Sequence, residues 1–381
     1  MVSIEELAKE SGPLRFTGFD LYRIAIPMRE PFRISSGEVA VKDSLLLKIN
    51  GGDAFGWGES SAMPGAFYSS ETPDSCWEDL STAVLPALAS RWFPDMVSLE
   101  EFLKERSQSA FVRVAVETAA WELLARRKGI SLRSLFSIAD RDVVSGLAVG
   151  LYDTREELRE ALERYRPRDY ARLKIKIKRG QDVELVRAVR EWFPDVRLFV
   201  DANADYGRED FATFQELDAF GLMMFEQPLA RSEFEASAEL QRLVRTPVCL
   251  DESIETADDA RRAIQLGSCR IVNIKLQRVG GYLEALRIIE ICSRSGIPVW
   301  MGTMPELGIG SAQALQLAAH PAFRFPTDVE PSERWYEDDI LTPRLSLANT
   351  RLPIPAGPGI GFQVDERKLE QYCTARKTFK T

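Results

Sequence analysis

The sequence is poor in the residues that build several common catalytic and metal sites. It contains one histidine, His320, among 381 residues, which excludes a three-histidine metal centre and disfavours Ser-His-Asp catalysis. We interpret His320, which follows a predicted helix, as a partly exposed structural residue. If the protein is an enzyme, its proton transfers fall to lysine, carboxylate, tyrosine or cysteine side chains.

Cysteine is also sparse, and long apolar segments are missing. The five cysteines are scattered and form no CxxC pair, which is typical of reduced thiols and argues against a disulfide framework or a cysteine-ligated zinc. No run approaches the roughly 18 apolar residues of a membrane span. The acidic, polar start lacks the basic and then apolar pattern of a secretion signal. We therefore expect a cytoplasmic protein.

The chain has no excess of positive charge. Its formal net charge is −9, and an acidic surface repels phosphate backbones and anionic lipids, so neither nucleic acid nor a membrane is an expected partner. Hydrophobic residues make up 45% and charged residues 28% of the sequence, as in ordinary globular proteins with a sizeable core. The expected partner is a small molecule, and assembly into a homo-oligomer stays open.

The hydrophobic pattern divides the chain into three regions. Residues 1–140 combine alternating, strand-like segments with helical ones, which predicts an α+β domain. Residues 141–334 alternate eight short apolar runs with amphipathic helical stretches, which predicts a closed parallel α/β barrel. Residues 335–381 return to short irregular segments, and we expect them to pair with the N-terminal region as a cap. Within the first region, helices are predicted at about 77–91, 99–105 and 110–127.

A doubly wound open sheet is the alternative to a barrel. Such a sheet would need a glycine-rich phosphate-binding turn after an early strand. The sequence has no such turn, because the glycines of PAGPGIG at 355–361 do not stand between a strand and a helix. The pattern therefore favours the barrel.

Five charged residues stand at the ends of five successive predicted strands. Lys176, Asp201, Glu226, Asp251 and Lys275 follow one another at intervals of 24 or 25 residues. Burying an unpaired charge is costly, so charges at the ends of apolar runs need a function or a partner. The C-terminal rim of a barrel is where barrel enzymes carry their chemistry. The regular interval predicts that the five side chains lie at one level of this rim.

The three acids of this set favour a metal site. Asp201, Glu226 and Asp251 provide only oxygen donors, which suit a hard cation such as Mg²⁺. The alternative is a set of ion pairs with barrel lysines. Three acids on adjacent strands would repel one another without a cation, so the metal site is favoured, and we expect Mn²⁺ to substitute for Mg²⁺.

The lysines of the rim are candidate acids and bases. Lys174 and Lys176 are two residues apart in a predicted strand, so both point to the same side. Two ammonium groups close together near a divalent cation lower each other's pKa from about 10.4 towards neutrality, where lysine becomes a usable base. Lys178 continues the alternation but lies beyond the strand end, and we predict that it is solvated.

The segments around these residues form a recognisable series. In chain order they are LKIKIK, DAN, EQPL, DES and NIKLQRVGG. Together they resemble the successive strand-end motifs of the muconate-lactonizing subgroup of the enolase superfamily. The resemblance covers essentially the whole chain, including the segments PFRISSG and LPIPAGPGIG. The segment GWGESSAMPGAFYSSET is most similar to o-succinylbenzoate synthases and N-succinylamino-acid racemases.

The resemblance implies a fold, a metal and a set of roles. It implies a (β/α)7β barrel under an α+β capping domain, with Mg²⁺ on the three carboxylates. Lys176 and Lys275 would act as acid and base on opposite faces of the substrate, with Lys174 assisting Lys176. In such sites the metal stabilises the enediolate formed when the carbon beside a carboxylate loses its proton. The predicted substrate contacts are Asn203, Glu252, Arg278, Gly302 and Glu306 at the rim, and Met63, Phe67 and Tyr68 in the cap.

Two reactions then compete. In the synthase reaction, Lys176 removes the α-proton of a cyclohexadiene carboxylate and protonates the departing hydroxyl, which gives o-succinylbenzoate for menaquinone synthesis. In the racemase reaction, Lys176 and Lys275 exchange a proton on opposite faces of an N-succinylamino acid. Arg278 matches an arginine often found in members with racemase activity. A purely binding member is disfavoured, because all three carboxylates and both lysines are present.

Three departures from the pattern bear on the substrate. Ser311 stands where many relatives have an arginine, and Leu276-Gln277 stands where Pro-Gly is common. The eighth predicted strand ends in Asp328-Val329-Glu330, a partial match to the DxD with which dipeptide epimerases grip an α-ammonium group. We interpret these two acids as solvated turn residues, which makes a dipeptide the third choice of substrate.

Overall fold

Two sheets carry most of the architecture, one antiparallel and four-stranded, the other parallel and seven-stranded. The computed structural model describes residues 3–34, 37–65 and 68–380. Within these ranges the strands are β1 (Leu14–Arg15), β2 (Gly18–Ile34), β3 (Gly37–Gly51), β4 (Ala54–Ser60), β5 (Trp92–Phe93), β6 (Val143–Val144), β7 (Leu147–Val149), β8 (Leu173–Lys176), β9 (Leu198–Asp201), β10 (Phe225–Glu226), β11 (Val248–Leu250), β12 (Ile271–Ile274), β13 (Val299–Met301), β14 (Leu341–Thr342), β15 (Arg351–Leu352), β16 (Gln363–Val364) and β17 (Cys373–Lys380).

The helices surround the parallel sheet and cover one side of the antiparallel one. Their bounds are α1 (Ile4–Lys9), α2 (Pro73–Asp79), α3 (Leu85–Ala89), α4 (Met96–Arg106), α5 (Ala110–Arg127), α6 (Leu132–Leu135), α7 (Arg155–Tyr165), α8 (Val183–Trp192), α9 (Phe211–Leu217), α10 (Phe234–Leu243), α11 (Ala257–Leu266), α12 (Leu276–Val279), α13 (Tyr282–Arg294), α14 (Gly308–Ala318), α15 (Ser332–Trp335) and α16 (Glu366–Tyr372). A turn of π-helix, Leu80–Val84, joins α2 to α3.

The predicted helices of the first region are present, with local capping setting their ends. Helix α5 has the predicted bounds, because Ser109 caps its first turn and Gly129, at φ +66°, follows its end. The helix predicted at 99–105 lies within α4. The one predicted from about residue 77 begins earlier, at Pro73, because Thr72 caps it and proline suits the first helical position.

The antiparallel sheet forms the cap, with strand order β17–β2–β3–β4. Strand β17 pairs with β2 along its length, so the end of the chain completes a sheet begun near its start. Helix α5 lies directly on β4, where a Cβ on Gly58 would stand 1.8 Å from the backbone oxygen of Ala115. Only glycine permits this approach. The predicted cap of N-terminal region plus C-terminal tail is confirmed.

The parallel sheet forms the barrel. Its strands follow in chain order from β7 to β13. The eighth predicted strand is not a regular one, since Pro326 has no N–H to donate. The segment still closes the barrel, because Asp328 N–H donates to Met301 O on one edge and Gly146 N–H donates to Thr327 O on the other. The barrel is therefore (β/α)7β, as the resemblance implied, rather than an open sheet.

A layer of apolar side chains fills the barrel beneath its rim. It consists of Phe199, Met224, Cys249, Ile271 and Trp300, all buried. Side chains alternate sides along a strand, so the residue two positions after each of these five lies on the same side of its strand, one layer nearer the rim. That higher layer contains the three predicted metal ligands, together with Asn273 and Gly302. The strand pattern therefore fixes both the depth and the membership of the rim layer.

The cap also supplies the N-terminal caps of two barrel helices. The buried carboxylate of Glu117, on α5, accepts from the N–H groups of Tyr282 and Leu283 at 2.9 and 3.0 Å, at the start of α13. The buried carboxylate of Glu59, on β4, accepts from Leu307 and Gly310 N–H, both at 2.8 Å, at the start of α14. Since free N–H groups at a helix start need acceptors, these acids tie the two domains together.

Glu117 is expected to make stability depend on pH. Burial raises its pKa to about 7 despite its hydrogen-bond donors. An acid with a raised folded-state pKa stabilises the fold below pH 4.5, its ordinary value, and this contribution is lost as the pH rises through about 7. From pH 5 to pH 8, wild type should lose about 2 kcal/mol of unfolding free energy relative to Glu117→Gln, which mimics the protonated acid.

Urea unfolding of both proteins across this range measures the effect. Other buried acids with raised pKa values, such as Glu306 and Glu330, are present in both proteins, so their contributions cancel in the difference. Parallel curves of unfolding free energy against pH for the two proteins would contradict the prediction.

The scarce residues are placed as the sequence suggested. All five cysteines are unpaired. His320 is partly exposed just beyond the end of α14, and its Nδ1 accepts a hydrogen bond from Ala322 N–H at 3.2 Å. In the part of the chain that the structure describes, no helix is both long and apolar enough to cross a membrane.

Candidate active site

The five charged residues predicted from the strand intervals come together at the C-terminal rim of the barrel. Lys176 Nζ donates to Asp201 Oδ2 at 2.5 Å, and Lys275 Nζ donates to Asp251 Oδ2 at 2.8 Å. The acids end or directly follow β9, β10 and β11, which lie between the strands of the two lysines, β8 and β12. All five side chains are buried. The row therefore runs from one lysine through Asp201, Glu226 and Asp251 to the other.

Glu226, in the middle of the row, is the least compensated of the acids. Its Oε1 accepts from Asn273 Nδ2 at 2.8 Å. Its buried Oε2 accepts no hydrogen bond from the residues that the structure describes, although Lys174 Nζ lies 3.4 Å away. Burial and the charge of Asp201 raise the pKa of Glu226, and Lys174 offsets them only in part. Such a carboxylate favours a bound proton or a bound cation.

Asp251 has the opposite balance. Burial alone would raise its pKa, but Arg278 and Lys275 lower it further than burial raises it. Asp251 therefore stays ionised between two cations. It stabilises a charged Lys275: burial lowers the pKa of Lys275, but Asp251, Tyr68 and Glu252 together raise it by more.

The expectation that neighbouring ammonium groups lower the pKa of the rim lysines is wrong for Lys174. Burial does lower the pKa of Lys174, but Asp328, Glu226 and Asp201 together raise it by more. Lys174 donates directly to Asp328 Oδ2. The expectation assumed a divalent cation, whose charge would offset the same carboxylates.

The three acids suit a hard cation by their chemistry. All three are buried and present only oxygen donors. Among the described residues, no group donates a hydrogen bond to Glu226 Oε2. Across the described residues, no three histidine, cysteine or acidic side chains are already grouped as a metal site; Asp201 and Asp251 are paired with lysines instead. Bound Mg²⁺ would exchange these ion pairs for oxygen ligation.

A small cavity lies between the two lysines. It encloses about 30 Å³, room for one or two water molecules. Tyr68, from the cap, closes it on one side, and its hydroxyl accepts from Lys275 Nζ at 3.3 Å. A site this narrow, with the cap on one side, limits access of bulk water to the lysines. The cavity is lined by Phe32, Met63, Tyr68, Ala148, Lys174, Lys176, Asn203, Lys275, Thr303, Met304, Pro305, Asp328 and Trp335.

The predicted substrate contacts divide into two groups. Met63, Tyr68 and Asn203 line the cavity with the lysines. Phe67 lies outside the described residues. The remaining four do not line the cavity in the described part of the chain, and they contact rim residues or the cap instead. These four are Glu252, Arg278, Gly302 and Glu306.

Asn203 links the two halves of the rim. Its Oδ1 accepts from Lys176 Nζ at 2.6 Å, and its Nδ2 donates to Glu252 Oε1 at 3.0 Å. Its backbone has φ +42°, a conformation that asparagine tolerates better than most residues. Burial and the neighbouring charge of Asp251 raise the pKa of Glu252 to about 7. Glu252 thus acts on Lys176 through Asn203.

Arg278 bonds to other residues of the rim. Its guanidinium pairs with Asp251 and donates to the backbone oxygens of Ile254 and Asn273 at 2.9 and 2.6 Å. Glu306 lines a separate cavity of about 10 Å³, together with Ser311 and Glu330. Its Oε2 is buried without a hydrogen-bond partner.

Comparison with known proteins places this site in a family. Residues 20–137 match the model of the mandelate racemase / muconate lactonizing enzyme N-terminal domain, and residues 153–368 match the enolase C-terminal domain-like model. The o-succinylbenzoate synthase of Geobacillus kaustophilus is 40% identical over 360 residues, which cover 94% of this chain and 96% of the relative.

Two further relatives agree. The N-succinylamino acid racemase of an Amycolatopsis species is 39% identical over 364 residues, 95% of this chain and 99% of the relative. The crystal structure of an enolase superfamily member from Listeria innocua superposes with a TM-score of 0.90 at 35% identity, covering 96% of this chain and 99% of that one. The chain belongs to the enolase superfamily, in the family of o-succinylbenzoate synthases and N-succinylamino acid racemases. Its relatives are lyases and racemases.

Sequence reasoning missed one residue that orients the middle acid in this enolase-superfamily site. Asn273 is two residues before Lys275, so the strand period already placed both on one side. Its Nδ2 donates to Glu226. Gly302 makes room for it, since a Cβ at Gly302 would lie 2.3 Å from Asn273 Oδ1. Gly302 therefore acts by its small size, on Asn273 and through it on Glu226.

Gly302→Ala is expected to weaken divalent-metal binding. The new methyl group displaces Asn273 and with it the hydrogen bond that orients Glu226, and losing such a partner of a ligand costs about 10–100-fold in affinity. Titration calorimetry with Mn²⁺ measures this. Gly357→Ala is the matched control, because its Cβ would find its nearest neighbour at 3.7 Å. Unchanged Mn²⁺ affinity in Gly302→Ala would contradict this role for Asn273.

The interpretation of Asp328 and Glu330 as solvated turn acids is wrong. Both are buried. Asp328 pairs with Arg172 and Lys174, and Glu330 Oε1 accepts from Ala148 N–H at 2.9 Å. The segment that closes the barrel turns them inwards. An arginine at position 172, directly before the apolar strand of Lys174, was the signal that an acid would be needed nearby.

Proposed function

We propose that this protein is a Mg²⁺-dependent enzyme that removes the proton from the carbon beside a carboxylate, with o-succinylbenzoate synthase activity. The observation that carries the proposal is the enclosed cavity flanked by Lys176 and Lys275, with three buried acids between their strands. The substrate would be 2-succinyl-6-hydroxy-2,4-cyclohexadiene-1-carboxylate. Relatives 36–40% identical over most of the chain carry the synthase name.

Asp201, Glu226 and Asp251 are the proposed ligands of Mg²⁺, which Mn²⁺ would replace. Their oxygen-only donor set and the unused acceptor on Glu226 support this. When bound, the cation supplies positive charge beside the substrate carboxylate, where negative charge develops as the proton leaves. The protein's own contribution is to hold three acids in one buried row.

Lys176 is the proposed base of the synthase reaction. It would take the α-proton, which leaves the bonding electrons in the diene system, and then give a proton to the departing hydroxyl, so that water leaves and an aromatic ring forms. Asn203 Oδ1, 2.6 Å from Lys176 Nζ, would hold the amine in place. Lys174 would assist from the same strand, and Lys275, kept charged by Asp251, would stabilise the negative charge.

N-succinylamino acid racemisation is the second candidate. It is favoured by Lys275, which lines the cavity from the strand at the other end of the acidic row and would exchange a proton on the second face of the α-carbon. The 39% identity to a racemase supports it. Dipeptide epimerisation is less favoured, because Asp328 is already paired with Arg172 and Lys174 and is not free to grip an ammonium group.

One experiment separates these reactions. The protein with Mg²⁺ is incubated in deuterated water with an N-succinylamino acid, and the α-proton signal is followed by NMR. In parallel, loss of the cyclohexadiene absorbance is followed with the synthase substrate. Dehydration without exchange selects the synthase alone, and exchange alone selects the racemase. If neither reaction occurs, the proposed function is wrong as stated.

The remaining assignments are also proposals. Met63, Tyr68 and Asn203 would contact the substrate directly, and Glu252, Arg278, Gly302 and Glu306 would act through their neighbours. We propose residues 1–140 and 335–381 as the cap and 141–334 as the barrel, supported by the pairing of β17 with β2. The five unpaired thiols support a cytoplasmic location.

A further inference from the structure

A single side-chain amide joins the rim of the barrel to the edge of the cap. Gln277, on α12, is buried. Its Nε2 donates to Glu59 O at 2.9 Å, and its Oε1 accepts from Ser61 N–H at 2.9 Å. The amide thereby bonds to the backbone at the end of β4 much as a neighbouring strand would. Both backbone partners are buried, so no solvent replaces Gln277 if it is removed.

Both ends of this connection lead to the cavity. On the barrel side, Gln277 lies two residues after Lys275 and one before Arg278, which pairs with Asp251. On the cap side, Met63 follows Ser61 by two residues and lines the cavity. Tyr68, further along the same cap segment, accepts from Lys275 Nζ. The amide therefore fixes the cap wall relative to Lys275.

Lys176 is held differently. It lies on β8, and its hydrogen-bond partners are Asp201 and Asn203, both from the barrel. Among the described residues, Gln277 hydrogen-bonds to Glu59 and Ser61 and not to these three. A change at Gln277 should therefore affect one side of the cavity and spare the other.

We propose that Gln277 is a positioning residue that sets the cap wall against Lys275 and so controls proton transfer on one face of the substrate. The inference rests on the second candidate of the proposed function, racemisation, in which Lys176 and Lys275 serve opposite faces. Loss of the amide would leave the fold intact but would allow Met63 and Tyr68 to shift relative to Lys275.

Gln313 provides a matched control. It lies on barrel helix α14, it is as buried as Gln277, and its Nε2 donates to Trp57 O at 2.7 Å. It therefore links the barrel to the same cap strand, but from α14 and not from the helix that follows Lys275. Gln277→Met and Gln313→Met keep similar side-chain volume and remove the amide from each link.

The first test uses each enantiomer of an N-succinylamino acid in deuterated water with Mg²⁺. Lys275→Ala identifies the enantiomer whose α-proton Lys275 removes. Gln277→Met should slow exchange of that enantiomer about 10–100-fold, the effect of a misplacement of roughly 1 Å, and change exchange of the other less than about 3-fold. Gln313→Met should not slow α-proton exchange of one enantiomer more than that of the other. If Gln277→Met slowed α-proton exchange of both enantiomers equally, Gln277 would have only a structural role and the proposal would be wrong.

The second test needs no activity. Amide hydrogen exchange followed by mass spectrometry should be faster in Gln277→Met than in wild type for peptides covering 59–65 and 274–282. Gln313→Met should leave the second peptide unchanged. Unchanged exchange in both peptides of Gln277→Met overturns the inference, whatever the substrate. If wild type exchanges no α-proton but these amide changes occur, the racemase candidate fails and the link between cap and Lys275 stands.

Discussion

Lys176→Ala is expected to lower turnover about 1,000-fold, within the range found when a positioned acid or base is removed. Lys176 Nζ lines the cavity and is held by Asp201 and Asn203 at 2.5 and 2.6 Å. Lys174, the nearest other amine on the strand, is tied to Asp328 and is not free to replace it. Lys176→Arg should be nearly as inactive, because a guanidinium keeps the charge but does not release a proton in proteins.

Steady-state assays of dehydration, with α-proton exchange beside them, measure this loss. Lys178→Ala is the control, since Lys178 continues the same alternation but is not among the residues that line the cavity. Its rate should stay within about twofold of wild type, as for a substitution outside the site. Full turnover by Lys176→Ala would contradict the role of Lys176 as the base.

Removal of divalent cations is expected to have the second large effect. Without a cation, Asp201 and Asp251 pair with the lysines, and Glu226 stays poorly compensated. A metal that stabilises developing charge is worth several kcal/mol, so dialysis against a chelator should lower activity roughly 1,000-fold or more. Added Mg²⁺ or Mn²⁺ should restore it.

Thermal unfolding gives a readout of the metal that is independent of activity. A cation that binds the folded chain raises the melting temperature in a concentration-dependent way. Asp251→Asn should abolish the rise, because one of three charged ligands is lost. Undiminished activity of the chelator-treated protein, or no thermal shift with either cation, would contradict the metal assignment.

The rim residues could be predicted from the sequence because the patterns that identify them are local. A charge at the end of an apolar run, repeated every 24 or 25 residues, identified five residues of the rim. The prediction that all five share one level is wrong for Lys275, because Leu250 pairs with Val272 and Lys275 therefore lies one layer above the acids. The same period of two would have found Asn273 beside Lys275. The helix ends at Ser109 and Gly129 were readable for the same reason, since a cap needs only its neighbours.

The missed features all depend on contacts between distant parts of the chain. Glu117 caps a helix that starts at Tyr282, and no sequence pattern near either residue indicates this contact. Asp328 looked solvated because the closing segment, interrupted by Pro326, has no regular strand pattern. Its partner Arg172, directly before β8, is 156 residues away in the sequence. Such pairs follow from barrel closure and not from local periodicity.

The pairing of β17 with β2 has a consequence for how the protein is made. The first long strand of the cap leaves the ribosome with no partner on one edge until residues 373–380 have been synthesised. The acids that cap α13 and α14 belong to the domain built on that sheet. A chain that lacks residues 373–380 therefore leaves one edge of the cap sheet unpaired.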